Sequence, residues 1–134
     1  DLEPLAREKD VELTGNCEAI TIVGSDILIY RLVYNLVENA IKYNHPGGQV
    51  TVNASRKEKH VCLSVADTGN GIPEELRERV FEPFFRVDKS RSRALGGVGL
   101  GLALVHEIVR VHDGNITVRS NPSGGTVFEV MFTQ

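Results

Sequence analysis

The sequence predicts an α+β fold, a two-layer α/β sandwich in which three helices pack on one face of a mixed, mostly antiparallel sheet of about five strands. Three features indicate this arrangement. Residues 25–44 have the spacing of one long amphipathic helix, residues 49–66 alternate as a hairpin, and two alternating segments close the chain at 115–119 and 126–132. We expect the sheet face away from the helices to be more solvated.

The composition indicates one soluble globular domain covering residues 1–134, long enough to bury a core without disulfides. Hydrophobic residues make up 41%, charged residues 25%, and the net charge is −3, which argues against a general nucleic-acid binder. Cys17 and Cys62 lack metal-ligand spacing and are interpreted as reduced thiols, although a disulfide between them stays open. No apolar run reaches membrane-spanning length, and no signal-peptide pattern is present.

The N-terminal region is predicted to be irregular and then extended. Residues 1–9 are short and charged, which is typical of a linker remnant or the end of a helix. Residues 11–14 and 19–23 are two short strand candidates, which Gly15 and Asn16 divide. Ser25 then offers a capping side chain for the long helix.

The long helix has an apolar sector and a polar sector. The apolar sector, which suits the underside of a sheet, contains Ile29, Leu32, Val33, Leu36, Val37, Ala40 and Ile41. Asn35, Asn39, Glu38 and Lys42 lie on the other side or at its edge, with the two carboxamides one turn apart. Carboxamide oxygens can ligate Mg²⁺ and an ammonium group can hold phosphate, but a solvated helix face is the ordinary alternative.

A second polar motif follows the hairpin, at residues 67–71. Asp67 ends the strand beside Gly69 and Gly71. A buried carboxylate there could accept the exocyclic amine of adenine, and the glycines would let the base lie against the backbone. The alternative is an ordinary turn that begins with Asp.

The region from Pro73 to residue 112 combines a short helix, a phenylalanine cluster, a basic loop and a glycine-rich helix start. Phe81, Phe84 and Phe85 are expected to serve mainly in packing, and residues 86–94 carry a net charge of +3. Glycines before the helix at 102–112 are typical of an anion site, although a flexible hinge is the alternative. Beside such a site, the basic loop is predicted to be a mobile cover for phosphates. The four histidines, His45, His60, His106 and His112, lack metal spacing and are interpreted as structural or surface residues.

The order of these motifs resembles the ATP-binding catalytic domain of sensor histidine kinases, in the superfamily shared with DNA gyrase, Hsp90 and MutL. The N box is matched at residues 35–43, the G1 box at 67–71, the F box at 81–85 and the G2 box at 97–101, with a late glycine element at 124–126. The resemblance covers nearly the whole chain and implies a Bergerat-type sandwich with an ATP lid at residues 86–98.

The resemblance also implies site residues. Asp67 would bind the adenine amine, Asn35 would ligate Mg²⁺, and Lys42 and Arg86 would contact the phosphates. The implied catalytic set consists of Asn35, Lys42, Arg86 and Glu38. In this set Glu38 would contact a Mg²⁺-bound water. The implied ATP-binding residues are Asn35, Asn39, Lys42, Tyr43, Asp67, Gly69, Gly71, Ile72, Phe81, Gly97, Gly99, Leu100, Gly101 and Thr126.

The implied activity is that of a protein-histidine kinase fragment with ATP and Mg²⁺ as cofactors. Its γ-phosphate would go to a histidine on a separate dimerisation domain, and a response regulator would act downstream. No His-Glu-x-x-Arg/Thr-Pro sequence occurs here, so none of the four histidines is expected to be the acceptor. The fragment is expected to be a monomeric cytoplasmic domain of a parent protein that is membrane-anchored, as most of the family are.

Two alternatives remain open on sequence grounds. One is a nucleotide-binding or docking module without phosphotransfer. The other is a hydrolytic ATPase of the gyrase or Hsp90 type, which the sequence disfavours because the catalytic glutamate of those enzymes falls at Asn35. An amide cannot take a proton from water at neutral pH. Val98 also departs from the family, since many relatives carry Ser or Thr there.

Overall fold

The structure, a computed structural model, describes residues 2–17, 24–85 and 100–133. The elements are helices α1 (Glu3–Glu8), α2 (Asp26–Lys42) and α3 (Gly101–Val111) and strands β1 (Glu12–Cys17), β2 (Gln49–Lys57), β3 (His60–Asp67), β4 (Asn115–Ser120) and β5 (Thr126–Thr133). The strands form one sheet in the order β1-β2-β3-β5-β4. The β1–β2 pair is parallel and the other pairs are antiparallel, which confirms the predicted mixed sheet.

One face of the sheet carries the core. The register aligns Val50 of β2 with Asp67 of β3, and Val65 of β3 with Phe128 of β5. Because side chains alternate along a strand, this register puts Val50, Val65 and Phe128 on the face that the helices cover, whereas Val127 and Met131 lie on the other face. The opposite face carries mainly polar or small side chains such as Asn53, Ser64 and Glu129, which are only partly buried. The prediction of a more solvated second face is confirmed.

Helix α2 is the central helix of this core. Its buried residues are Leu32, Leu36, Val37, Ala40 and Ile41, which all belong to the predicted apolar sector. Ser25 caps the helix as predicted, because its hydroxyl accepts a hydrogen bond from the Leu28 N–H at 3.3 Å. The polar sector therefore faces away from the sheet, where a ligand can reach it.

The two main helices are also joined at one end. The Ser25 N–H donates to His112 Nε2 at 3.2 Å, and His112 Nδ1 lies 2.8 Å from the Ile108 carbonyl oxygen. The neutral imidazole with its proton on Nδ1 satisfies both contacts. His112 is thus structural, as predicted, and fixes the start of α2 against the end of α3.

Three local predictions need correction. Of the two alternatives predicted for residues 1–9, the linker is wrong for the described residues 2–9, because they contain helix α1 and because Leu2 and Ala6 are buried in the core. Gly15 and Asn16 do not end the first strand, because both pair with β2 in a regular parallel register. The helix predicted from Pro73 consists of two short 3₁₀ turns, Glu74–Leu76 and Arg79–Phe81.

Several other predictions fall outside the described residues or are answered only in part. The strand predicted at 19–23 and the lid at 86–98 lie outside the described ranges. The Cys62 thiol is free, as predicted. In the part of the chain that the structure describes, no helix is both long and apolar enough to cross a membrane.

Candidate nucleotide-binding site

The end of strand β3 holds a buried carboxylate. Asp67 is only 7% exposed. Its Oδ1 accepts hydrogen bonds from the Gly69 N–H at 2.9 Å and from the Thr126 N–H at 3.1 Å. One oxygen thus has two backbone donors, and the geometry leaves Oδ2 as the oxygen available to a ligand.

Burial sets the electrostatic character of this carboxyl group. Desolvation raises the pKa of Asp67 above its ordinary value of 3.8, and the backbone N–H groups of Gly69 and Thr126 oppose that rise. Among described residues, the structure contains no Lys or Arg ion pair to Asp67. The group is therefore a hydrogen-bond acceptor in an uncharged setting, which suits an amine of a neutral heterocycle.

The β4–β5 turn lies directly against Asp67. A Cβ on Gly125 would come within 2.6 Å of Asp67 Oδ1 and 2.7 Å of the Gly69 nitrogen, so only glycine fits. The Asn121 side chain donates from Nδ2 to the Asp67 carbonyl oxygen at 2.8 Å. The predicted site residue Thr126 is buried and supplies its N–H to Asp67, as described above.

The loop after Asp67 is held by the C-terminal end of α2. Gly69 lies so close to the Tyr43 carbonyl oxygen that a side chain at this position would collide with it. The buried Asn44 donates to the Gln49 carbonyl oxygen at 3.0 Å and accepts from the Thr68 hydroxyl at 3.4 Å. These contacts bring the predicted residues Tyr43, Asp67 and Gly69 to one place.

The polar sector of α2 continues from this corner. Lys42 and Glu38 form an ion pair at 3.9 Å, with side chains 25% and 29% exposed. Asn35 donates from Nδ2 to the Arg31 carbonyl oxygen at 2.8 Å, which leaves its Oδ1 free to accept or to ligate. Within the described ranges, the Asn39 carboxamide has no hydrogen-bond partner, so it too can engage a ligand.

The start of helix α3 faces Asn35. A Cβ at Gly101 would lie 3.2 Å from Asn35 Oδ1, so the two helices approach each other closely here. Leu100 is the N-cap residue and is exposed, and no described side chain caps this helix end. Uncapped amides at a helix N-terminus are suited to an anion. Gly101 at the start of α3 and the side-chain carboxamides of Asn35 and Asn39 on α2 therefore line one polar region.

The carboxamide oxygens on α2 suit a magnesium ion that arrives bound to a nucleotide. Within residues 2–17, 24–85 and 100–133 there is no cluster of three or more His, Cys, Asp or Glu that could hold a metal by itself. Mg²⁺ commonly takes only one or two protein ligands and fills its shell with phosphates and water. Asn35 Oδ1, turned away from its own helix by the Nδ2 bond, can supply one such ligand.

The remaining predicted site residues separate into three groups. Gly71 lies beside the Gly125 carbonyl oxygen, at 3.6 Å from where its Cβ would be, and Ile72 is partly buried against the core. Phe81 packs against Phe128 and His106, with ring centroids 6.2 and 5.4 Å away, and no described contact joins it to the Asp67 corner. Arg86, Gly97 and Gly99 lie outside the described residues.

Sequence reasoning missed two residues that support the site. Asn121 donates to the Asp67 carbonyl oxygen, and Asn44 connects the neighbouring Thr68 hydroxyl to the Gln49 carbonyl oxygen. The only available signal was their position at turns, Asn121 before Pro122 and Asn44 before His45-Pro46, where Asn is common for local reasons. That signal does not distinguish an ordinary turn residue from one that braces a binding site.

Comparison with known families agrees with this geometry. Residues 24–134 match the family model described as histidine kinase-, DNA gyrase B- and HSP90-like ATPase. Because the match covers most of the chain, the chain belongs to this family. Within it, both sequence and fold group the chain with the ATP-binding catalytic domains of sensor histidine kinases.

Three relatives illustrate that grouping. The sensor-like histidine kinase SenX3 of Mycobacterium tuberculosis is 42% identical over 92% of this chain and 30% of its own length. The mycobacterial sensor histidine kinase MprB has a similar structure, with a TM-score of 0.85, 33% identity and coverage of 98% and 88%. Full-length ShkA in complex with AMPPNP gives 0.84 and 30%, over 98% of this chain and 27% of its own. The chain spans between 24% and 30% of the length of the curated relatives it matches.

Proposed function

We propose that this chain binds ATP and donates its γ-phosphate to a histidine on a separate dimerisation domain, as the catalytic domain of a two-component sensor histidine kinase. The observation that carries the proposal is the buried Asp67, with Oδ1 held by two backbone N–H groups and Oδ2 left to accept. The AMPPNP complex of its relative ShkA supports a nucleotide as the ligand.

Asp67 would select adenine. Its free carboxylate oxygen accepts the exocyclic amine, while a guanine would direct a carbonyl oxygen at the same carboxylate and be repelled. We also assign Gly69 and Gly71 to the base end, where they lie against main-chain atoms of Tyr43 and Gly125. Thr126, Tyr43 and Ile72 complete the base end of the proposed site.

The polar sector of α2 would hold the phosphates. Lys42 supplies an ammonium group, Asn39 a carboxamide and Asn35 an oxygen for Mg²⁺, with Gly101 at the helix end opposite. When bound, Mg²⁺ neutralises phosphate charge and fixes the phosphate chain for transfer. We also assign Arg86, Gly97, Gly99 and Leu100 to the phosphate end, and Phe81 to the support of the site from the core side.

The chain would transfer phosphate rather than hydrolyse ATP rapidly. Asn35 occupies the position of the general base in the hydrolytic members, and its Nδ2 is occupied by the Arg31 carbonyl. Glu38 is the nearest carboxylate on the same face, but its partner is Lys42. Glu38 would instead orient a Mg²⁺-bound water, and the nucleophile would be the external histidine.

The partners follow from this role. The chain would dock on the dimerisation domain of its parent protein, which would pass the phosphate to a response regulator, and residues 86–98 would cover the nucleotide as a lid. We propose that the domain acts in the cytoplasm, on a membrane-anchored parent, and is monomeric in isolation. No part of the role requires nucleic acid.

Calorimetric titration of ATP and GTP, with and without Mg²⁺, tests the proposal. Asp67→Asn replaces a charged acceptor by a group that also presents a donor, so ATP affinity should fall about ten- to a hundredfold, or roughly 1.5–3 kcal/mol. Asp113→Asn is the matched control, because Asp113 is exposed at the far end of α3. Equal binding of ATP and GTP, or unchanged affinity in Asp67→Asn, would refute the adenine assignment.

Phosphotransfer needs a separate measurement. Radiolabelled [γ-³²P]ATP is mixed with this chain and with the dimerisation domain of its parent protein, and label on that domain is followed. We expect transfer that requires both parts and is lost in Asp67→Asn. Nucleotide binding without any transfer would reduce the chain to a binding module, and rapid steady-state phosphate release by this chain alone would contradict the Asn35 argument.

A further inference from the structure

The ladder between β3 and β5 ends in an unusual way at the base end of the site. Its last regular pair is Ala66 with Val127. Beyond this pair, Asp67 and Thr126 face each other, but side chains replace main-chain partners. The Thr126 N–H donates to the Asp67 carboxylate, and the Asn121 side chain donates to the Asp67 carbonyl oxygen.

Asn121 is tied to its own turn as firmly as to Asp67. Its Oδ1 accepts from the Ser123 N–H at 3.2 Å, its backbone N–H donates to the Gly125 carbonyl at 3.1 Å, and its carbonyl accepts from Gly124 at 2.8 Å. These hydrogen bonds make the turn rigid, and the hydrogen bond from Asn121 Nδ2 connects the turn to the Asp67 carbonyl oxygen. The side chain is partly buried, so water competes only weakly for that link.

The hydrogen bond from Asn121 has a consequence for the carboxylate. While the turn keeps this position, the Thr126 and Gly69 N–H groups both donate to one carboxylate oxygen and fix the plane and position of the carboxylate group. One oxygen faces the base pocket as a pure acceptor. If the turn moves away, Oδ1 loses one donor and the carboxylate can reorient or admit water, which would accommodate a base with a carbonyl group.

We propose that Asn121 is a positioning residue that sets the adenine selectivity of the site by holding Asp67 in one orientation. The proposal rests on the proposed function, since it presumes that a nucleotide base meets Asp67. It assigns to the β4–β5 turn a role in choosing the ligand and not only in closing the sheet.

Two substitutions at Asn121 separate the link from the turn. Asn121→Ser keeps an oxygen near the Ser123 N–H but is too short to reach the Asp67 carbonyl. Asn121→Asp keeps the shape and the Oδ1 acceptor but loses the Nδ2 donor. Asn115→Asp, at the exposed opposite end of β4, introduces the same charge away from the site and is the control.

The readout is the ratio of the GTP to the ATP dissociation constant, measured by calorimetry, beside the thermal midpoint of unfolding. We expect the ratio to fall by about tenfold in both Asn121 variants, close to the value of one hydrogen bond, and to stay constant in Asn115→Asp. A purely structural role would lower the midpoint, or weaken both nucleotides equally, without changing the ratio.

The outcomes are distinguishable. An unchanged ratio in folded Asn121→Ser and Asn121→Asp, with a selective wild type, overturns the role of Asn121 and leaves the proposed function intact. A wild type that does not prefer ATP overturns both. If Asn121→Ser fails to fold, the isosteric Asn121→Asp still decides, because its turn acceptor is retained.

Discussion

The base end and the phosphate end of the proposed site are built in different ways. At the base end, backbone N–H groups and the Asn121 amide hold Asp67, and Gly125 is packed against it with no room for a side chain. At the phosphate end, single side chains on one helix face, such as Asn35 and Lys42, are partly exposed. The base end has its final geometry before a ligand binds, whereas the side chains of the phosphate end take their final positions only around the ligand.

The difference has a physical reason. A neutral base offers one or two hydrogen bonds, so selectivity requires an acceptor whose position is fixed in advance. A triphosphate with Mg²⁺ offers several charges, and flexible side chains can gather around them at small cost. We therefore expect substitutions that overfill the base end to affect both fold and selectivity, and substitutions on the helix face to leave the fold nearly unchanged.

The largest expected effect comes from Gly125→Ala, compared with Gly124→Ala. Both glycines have positive φ angles, 93° and 94°, so alanine strains the backbone about equally at either position. Only the Cβ at position 125 would meet Asp67 and Gly69, whereas nothing lies within 4 Å at 124. Overpacking and the lost base contact together should weaken ATP by more than about a hundredfold.

Calorimetry of both variants, with circular dichroism to confirm folding, makes this comparison. Gly124→Ala should retain near wild-type affinity and lose only some thermal stability. If the two variants bind ATP equally well, the base end is not the preorganised structure that the contacts suggest.

An intermediate effect is expected from pH. The raised pKa of Asp67 means that its carboxyl group takes up a proton at a higher pH than an ordinary Asp, whose value is 3.8. Acidification should thus remove the charged acceptor and weaken ATP in the wild type. Asp67→Asn should lack this component, so the difference between the two titrations isolates it from the protonation of the phosphates.

The raised pKa of Asp67 has the opposite consequence for stability: acidification weakens ATP binding but favours the folded state. Since folding raises the pKa of Asp67, the folded state favours the protonated form, and the ionised group opposes folding at neutral pH. That cost disappears as the pH falls through the raised pKa. Asp67→Asn should therefore keep or increase the free energy of unfolding at neutral pH, measured by urea denaturation, while it loses ATP. A large loss of stability would contradict this account.

The smallest effect is expected from Glu38→Gln. The Glu38–Lys42 pair spans 3.9 Å on a partly exposed helix face, where such pairs contribute about 0.5 kcal/mol or less. The free energy of unfolding of the Glu38→Gln variant should therefore lie within about 0.5 kcal/mol of the wild-type value, and the variant should still bind ATP. A clearly larger destabilisation would mean that the phosphate end carries fold stability after all.

Much of the fold was readable from the sequence. The apolar positions of α2 repeat with helical spacing and its buried residues are those predicted, because one stripe must face the sheet wherever the helix lies. The hairpin and the closing strands alternate for the same kind of reason. Asp67 was likewise marked by its place at a strand end beside two glycines.

Other features could not be read in this way. Leu2, Leu5 and Ala6 have the spacing of one helix face, but the segment is short and charged along much of its length, so this pattern was too brief to predict burial. The β1 strand continues through Gly15 and Asn16 because β2 supplies a parallel partner, which local propensity does not register. The segment after Pro73, which was predicted to form one helix, forms two short 3₁₀ turns in the structure.

The sequence by itself determined the long helix, the hairpin and the closing strands, the polar and apolar faces of α2, and the residue types that suit a nucleotide, since these depend on spacing along one chain. Only the tertiary structure decided which oxygen of Asp67 is held and by what. That depends on Asn121, 54 positions away, and on Thr126, 59 positions away. Contacts between distant segments arise from the register of β3 against β5, and no local pattern encodes that register.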